Sequence, residues 1–480
     1  MTAPVLWTAA EAAAATGGRA VGDWRATGIS IDSRAVAAGD LFVAIRGPRM
    51  DGHDFAAAAL RADAAALLID RLPEGLAGDA PRVEVADSGA GLTALARAAR
   101  DRSPARVAAI TGTVGKTGTK EALRLVLADQ APTHASLGNL NNQWGLPLSL
   151  ARLPRAAAYG VFEIGMNHAG EITPLTRLAR PHVAVVTAIT EVHMENFASL
   201  AAVADAKAEI FAGVEAGGTA VIFRDTPHYE RLAAAARANG IDDIRAFGTA
   251  EDCWARLIGH DGETVTAAFA GREIAYRLPI PGRHWAINSL AVLAAADAMG
   301  AGLEPAAAAL ADLTPPAGRG RRIGVALAGG RFEVIDESYN ASPAAVRAAL
   351  AVLAETPTGP GGRRLAVLGD MLELGDKAAD MHAVLAGDVA ASGIDLVFTA
   401  GPLMGALRDA LPDALRGGHG ATAEALAPLI AASAQPGDVI LVKGSNGMGM
   451  TRIVEALAAR GNRTPENGHD NGNGGLRHAV

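Results

Sequence analysis

Val107-Ala108-Ala109-Ile110-Thr111-Gly112-Thr113-Val114-Gly115-Lys116-Thr117-Gly118-Thr119-Lys120-Glu121 decides how the rest of this chain is read. An apolar run leads in, a glycine-rich loop follows, and a helix-favouring run over 120–127 leads out. Strand, loop and helix form the setting that a phosphate-binding loop requires. Glycines let backbone N–H groups converge on phosphate oxygens, and the helix N-terminus adds its dipole. In that role Gly112, Thr113, Val114, Gly115 and Gly118 surround the phosphates and Lys116 reaches the outer ones. The Thr117 hydroxyl holds a magnesium ion. The loop departs from the commonest spacing, because Ile110 stands five positions before Gly115 and the nearest glycine is Gly112. Taken alone, an ordinary turn between strand and helix reads the same way.

A length of 480 residues suggests about three domains. Half the residues are apolar, which is enough for a substantial core. The net charge of -8, with no block of Lys and Arg, argues against nucleic-acid binding. A single cysteine, Cys253, excludes an internal disulfide framework and suits a reducing cytoplasm. Met1-Thr2-Ala3-Pro4 is not the start of a signal peptide, and no apolar run reaches membrane-spanning length. A soluble cytoplasmic protein, not embedded in a membrane, is expected.

The chain reads as α/β throughout. Residues 1–86 form a small α/β unit. The stretch 87–315 repeats strand–helix pairs, with strands expected over 107–110, 159–164 and 183–187. Continuous apolar strands alternating with helices imply a parallel sheet covered on both faces. Leu313-Thr314-Pro315-Pro316-Ala317-Gly318 reads as a hinge. A second doubly wound unit follows over 316–460, with strands over 331–335, 364–368, 396–399 and 439–442. The Gly/Asn-rich end, 461–480, is expected to be a disordered tail.

Ligands of open parallel sheets bind beyond the carboxyl ends of the strands. The second expected strand of the central unit delivers Glu163 there, and the third leads to His193; both suit a magnesium site, although an isolated loop residue reads the same way. Lys207 falls on the apolar stripe Leu200, Val203, Ala204, Ile210, Phe211 of one helix. A buried lysine is costly unless paired, and burial lowers its pKa. A neutral amine can take up carbon dioxide as an anionic carbamate; alternatively, the side chain snorkels to the helix edge. Asn139, Asn141 and Asn142 crowd one loop, which serves a ligand or simply turns. His284 and Asn288 open an Ala-rich helix, where they face a base or cap the helix.

Taken in order, the Thr-Gly-Thr-Val-Gly-Lys-Thr loop, Gly138-Asn139-Leu140-Asn141-Asn142, Glu163, His193, Ala206-Lys207-Ala208-Glu209 and His284…Asn288 resemble the Mur ligases. These are ATP-dependent enzymes that add amino acids to the peptidoglycan precursor. The resemblance covers all but the tail. It implies three domains: an N-terminal UDP-sugar-binding domain, a central ATPase domain and a C-terminal Rossmann-like domain. Asp32-Ser33-Arg34 and Asp51-Gly52-His53 look like the segment that holds the UDP-sugar, so Ser33, Arg34, Asp51 and His53 are candidate substrate contacts. Asp336-Glu337-Ser338-Tyr339-Asn340-Ala341-Ser342-Pro343 and Leu368-Gly369-Asp370-Met371 resemble the last-acting member of the family, and Asn340 joins the substrate set. The Asp-Asn-Pro-Arg signature of the preceding member is absent. Gly118 departs from the family's usual Thr or Ser.

The resemblance implies ATP and Mg2+ as cofactors. It implies UDP-MurNAc-tripeptide and D-Ala-D-Ala as small-molecule substrates, joined through an acyl phosphate, and a monomeric enzyme. Lys116, Lys207 and His193 take the catalytic roles, and Thr117, Glu163, His193 and Lys207 the metal and its surroundings. Asn288 with His284 meets adenine, and Arg319 and Asp336 reach the nucleotide when the third domain closes. A tripeptide-forming Mur ligase that adds diaminopimelate or lysine, or a nucleotide-binding scaffold without catalysis, are the alternative readings.

Overall fold

A computed structural model describes residues 4–48, 50–190 and 196–461. The central unit is built on a nine-stranded sheet. The strand Arg106–Thr111 is third from one edge, flanked by Tyr159–Glu163 on one side and Val183–Val186 on the other, all parallel. These three strands are apolar and buried almost without interruption, because helices cover both faces. The strands expected from sequence are present within a residue or two of their expected ends.

One part of this sheet differs from the expected run of strand–helix pairs. Ala255–Asp261, Thr264–Phe269 and Arg272–Arg277 form an antiparallel meander that extends the sheet at one edge. Its signal is a period of two. Val265, Ala267 and Phe269 are buried, while Thr264, Thr266 and Ala268 are not. Gly262, at φ +56°, makes the turn that lets the chain reverse.

The two faces of the central sheet carry different neighbours. On one face lie the phosphate-loop helix Lys116–Ala128 and the helix Arg283–Ala298, packed together over one apolar cluster. On the other face the core runs without a break into the N-terminal unit. Ile29, Leu41, Leu68 and Val83 of the first sheet join Phe162, Ile164 and Val186 through Leu92, Leu95 and Ala99 of the helix Ser88–Arg102. Trp7 seals this seam. Its indole N–H donates to the Ala151 carbonyl at 3.0 Å, and the Arg102 guanidinium stacks on its ring at 3.8 Å. Arg152 adds a hydrogen bond to the Ile29 carbonyl at 2.7 Å.

The third unit is separate. Its six-stranded sheet is parallel apart from one edge strand and has apolar clusters of its own on both faces. The strands Gly330–Glu337 and Val439–Lys443 pair so that Glu337 and Lys443 end level, beside the hinge. No helix among the described residues is long and apolar enough to cross a membrane.

Candidate active site

The loop after Arg106–Thr111 wraps against the end of the neighbouring strand. Thr187 Oγ1 bonds the Val114 carbonyl at 2.7 Å, and the Thr113 N–H donates to the Ala188 carbonyl at 2.9 Å. A Cβ at Gly112 would sit 1.9 Å from Thr187 Oγ1, so this approach tolerates no side chain. Lys116 folds back over the loop, its Nζ donating to the carbonyls of Gly112 at 2.8 Å and Thr113 at 2.9 Å.

Glu163 ends its strand level with Ile110 and is buried. Its Oε2 accepts from the Thr117 hydroxyl and its Oε1 from the Asn141 amide, both at 2.7 Å. The loop carrying Asn141 is held in turn by Lys120, whose Nζ donates to the carbonyls of Ser136 at 2.6 Å and Gly138 at 3.0 Å. Asn142 closes the turn into the following helix Gly145–Ala151, its side-chain oxygen accepting from the N–H groups of Trp144 at 3.1 Å and Gly145 at 2.9 Å. Of the three loop asparagines, Asn142 therefore serves the turn, whereas Asn141 supports the carboxylate.

Lys207 comes from the opposite face of the sheet. Ser199 caps its helix, Leu200–Ala208, and the lysine is only 2% exposed, which excludes snorkelling. Burial lowers its pKa well below that of an ordinary lysine. The charge of Lys116 lowers it further, while Glu163, Glu171 and Glu209 act in the other direction. Burial likewise lowers Lys116; Glu163 opposes this, and the Arg319 guanidinium adds to it. The Lys116 charge is thus favoured by Glu163 and opposed by Arg319, a balance that an entering anion shifts toward the charged form.

Magnesium fits what is present. It takes one or two carboxylates plus the oxygens of a phosphate substrate, and seldom a cage of protein ligands alone. Thr117 and Glu163 supply such a half-site at the N-terminus of a helix. Among the described residues no group of three or more His, Cys, Asp or Glu could hold a metal ion without the substrate's help. His193 lies outside the described residues.

The third unit closes over this site. His284, Trp285, Arg322, Glu337 and Val352 line a crevice between the central and third units. Asn288 does not line it. One helical turn beyond His284, its amide lies 3.0 Å from where a Cβ on Gly115 would stand, so it packs on the phosphate loop. Asp336 is buried and accepts from the N–H of Gly318 at 2.9 Å and the hydroxyl of Ser338 at 2.6 Å. In this arrangement its carboxylate braces the hinge. Arg319, by contrast, stacks on Tyr339 at 4.1 Å, and its charge bears on Lys116.

Comparison with known proteins agrees with this geometry. Residues 25–100 match the pattern described as Mur ligase family, catalytic domain, residues 110–296 the Mur ligase middle domain, and residues 318–446 the Mur ligase, glutamate ligase domain. UDP-N-acetylmuramoyl-tripeptide--D-alanyl-D-alanine ligase of Escherichia coli is 36% identical over 439 residues, covering 90% of this chain and 94% of the relative. The chain belongs to the Mur ligase family. A MurF crystal structure from Acinetobacter baumannii superposes with a TM-score of 0.82 at 28% identity, over 94% of this chain and 99% of that one. MurF ligase from Thermotoga maritima in complex with ADP superposes at 0.74 with 26% identity, over 90% and 97%.

Within this family frame, the N-terminal residues divide. Ser33 and Arg34 sit in the turn after the strand Gly28–Ser30, with Arg34 exposed and paired to Asp32 at 2.8 Å. His53 is buried. Its Nε2 accepts from the Asp70 N–H at 3.2 Å, which leaves Nδ1 to donate to Asp51 at 2.6 Å. Both ring nitrogens are used inside the protein, so His53 acts by holding Asp51 and Asp70 rather than by offering its ring to a ligand. Asn340 turns its amide oxygen to the Ala341 N–H, and its carbonyl accepts from Lys443 at 3.0 Å.

Sequence reasoning missed three contributors. Lys120 carried no signal beyond its place in a helix-favouring run. Trp285 sits on Gly118: a Cβ there would lie 2.7 Å from the indole ring, which explains why a family position for Thr or Ser holds glycine here. Tyr339 gave no sign along the chain that its ring would carry the Arg319 guanidinium, a contact made only when Gly318 folds back on the end of the strand.

Proposed function

We propose that the protein joins D-alanyl-D-alanine to UDP-N-acetylmuramoyl-tripeptide, using ATP, in the cytoplasm and as a monomer. The observation that carries this reading is the strand–loop–helix that places Lys116 over its loop carbonyls and the Thr117 hydroxyl on the buried Glu163 carboxylate at 2.7 Å. The reaction requires chiefly positioning and charge neutralisation.

In this reading Lys116 and Arg319 hold the outer phosphates of ATP, while the loop N–H groups and helix dipole hold the inner ones. Thr117 and Glu163 would hold magnesium, which when bound neutralises phosphate charge. The terminal carboxylate of the tripeptide attacks the γ-phosphorus, ADP leaves, and an acyl phosphate forms. The amine of D-alanyl-D-alanine then attacks the acyl carbon, and phosphate departs as the amide forms. Lys207, as its carbamate, supplies a fixed negative charge beside the cations. Closure of the third unit excludes water from the acyl phosphate.

The test is to incubate the protein with ATP and magnesium, either with UDP-muramoyl-tripeptide and D-Ala-D-Ala or with UDP-muramoyl-dipeptide and diaminopimelate or lysine. Phosphate release with D-Ala-D-Ala alone is the expected outcome. Release with diaminopimelate or lysine would transfer the chain to the tripeptide-forming branch, and release with none would leave a nucleotide-binding scaffold.

A further inference from the structure

We infer that Lys120 is a positioning residue that sets the affinity of the site for magnesium: it clamps the segment 136–141 so that Asn141 holds Glu163 beside the Thr117 hydroxyl, an inference that deepens the ligase reading and rests on its magnesium half-site. Lys120 stands three residues after Thr117 on the helix Lys116–Ala128, so both side chains leave the same face, one turn apart. The lysine is fully buried. Its Nζ donates to the carbonyls of Ser136 at 2.6 Å and Gly138 at 3.0 Å, and pairs with Glu121 Oε1 at 2.7 Å. Three N–H groups meet three oxygens, so no donor is left over for a phosphate.

The clamped segment grips Glu163 from two sides. Ser136 donates its N–H to the Val161 carbonyl at 3.0 Å, and its hydroxyl accepts from the Glu163 N–H at 3.2 Å. The Asn141 amide donates to Glu163 Oε1 at 2.7 Å, and its backbone carbonyl accepts from the Gly165 N–H at 2.9 Å. A Cβ on Gly165 would stand 2.8 Å from the Asn141 amide, so that amide lies directly on the end of the strand. Between these two grips the chain turns at Gly138, with φ +52°. The links close into a ring. Thr117 bonds Glu163, Glu163 bonds Asn141, the chain runs back to Gly138 and Ser136, and Lys120 returns it to the helix one turn from Thr117. The two groups that would hold magnesium thus share one frame, tied to the helix by a side chain that touches no ligand. Without that tie the segment moves, Asn141 releases Oε1, and the carboxylate has to be ordered each time the metal binds.

The test is titration calorimetry on the full chain with the non-hydrolysable β,γ-methylene analogue of ATP, first in EDTA and then over a magnesium series. The variants are Lys120→Met, which keeps the length and removes the donors, Lys120→Arg, which keeps donors but displaces them, and Asn141→Ala. In EDTA all should bind the analogue within about twofold of the wild type, because Lys116 and the loop N–H groups are untouched. The magnesium concentration that gives half the full gain in affinity should rise about tenfold in Lys120→Met and Asn141→Ala and about threefold in Lys120→Arg, with the Lys120→Met/Asn141→Ala double variant no worse than either alone. In the ligase assay, kcat of Lys120→Met should return to within about threefold of wild type at saturating magnesium. General damage to the fold would weaken binding in EDTA as well and would not be recovered by magnesium; that result overturns the inference. So does a wild-type magnesium dependence in Lys120→Met, or additive losses in the double variant. If Lys120→Met does not fold, Lys120→Arg decides by the same criteria. The calorimetry needs no peptide substrate, so it decides the role of Lys120 even if the wild type joins no peptide.

Discussion

The N-terminal unit and the third unit meet the central one in opposite ways. The first is welded on: a single apolar cluster runs from Ile29 and Leu41 through Leu92 to Phe162, closed by Trp7. The third has its own clusters on both faces of its own sheet, and among the described residues no buried apolar cluster spans the two units. It meets the central unit across a crevice where Ile280, His284 and Trp285 face Ile335, Glu337 and Val352. Apolar burial over a broad seam gives a fixed joint, whereas a contact without a shared core gives one that opens at modest cost. A unit that must hold one end of a long substrate benefits from the first kind. A unit that must admit two more substrates and then exclude water needs the second.

The comparison breaks outright if the closing face has no charge to close upon. Lys116→Ala should lower ATP turnover on the order of 10³-fold, measured as phosphate release; ordinary turnover would falsify the phosphate-loop assignment. The weld is tested next. Trp7→Ala should cost about 3–5 kcal/mol in chemical denaturation, with the first and central units still unfolding together. Separate unfolding of the N-terminal unit in the wild type would show that the seam is no weld.

Lys207 sharpens the electrostatic side. Because burial and the Lys116 charge lower its pKa, the amine is neutral at a pH where an ordinary lysine is still an ammonium. Carbamate formation needs the neutral form, so it should be favoured as pH rises and lost as pH falls through the lowered pKa. Lys207→Ala should reduce activity by about 10²-fold, with partial rescue by acetate. In buffer stripped of carbon dioxide the wild type should lose activity and regain it with bicarbonate, more completely at higher pH. Indifference to bicarbonate at every pH would remove the carbamate. The smallest effect belongs to Gly118. Gly118→Ser pushes a Cβ into the Trp285 ring and should raise KM for ATP about tenfold. Adding Trp285→Ala should recover part of that loss; no recovery would mean that the ring is not what excludes the side chain.

Much of this was legible along the chain. The apolar run into Gly112–Thr117 marked a parallel strand of the central unit, and the apolar stripe through Leu200 and Val203 placed Lys207 on a buried face. Glu163 was legible as a strand-end residue. The meander over 255–277 carried a period-two signal, with a Gly262 turn, yet short alternating strands are easily absorbed into a strand–helix reading. His53 shows the opposite failure. A histidine within a polar motif suggests a ligand contact, but its ring turns inward to bind Asp51 and the Asp70 N–H.

What the linear order of residues settled is whatever depends on neighbours within a turn or a strand: the strand, loop and helix around Gly112–Thr117, the apolar faces and the family. What it left to the folded chain is every contact between residues far apart in order. Gly118 is glycine because Trp285 lies on it, Glu163 is held because Asn141 reaches it, and the loop of Asn141 is held because Lys120 clamps its carbonyls. Local propensity acts over a few residues, whereas burial and charge pairing act over distances in space, and the site of this protein is assembled almost entirely by the latter.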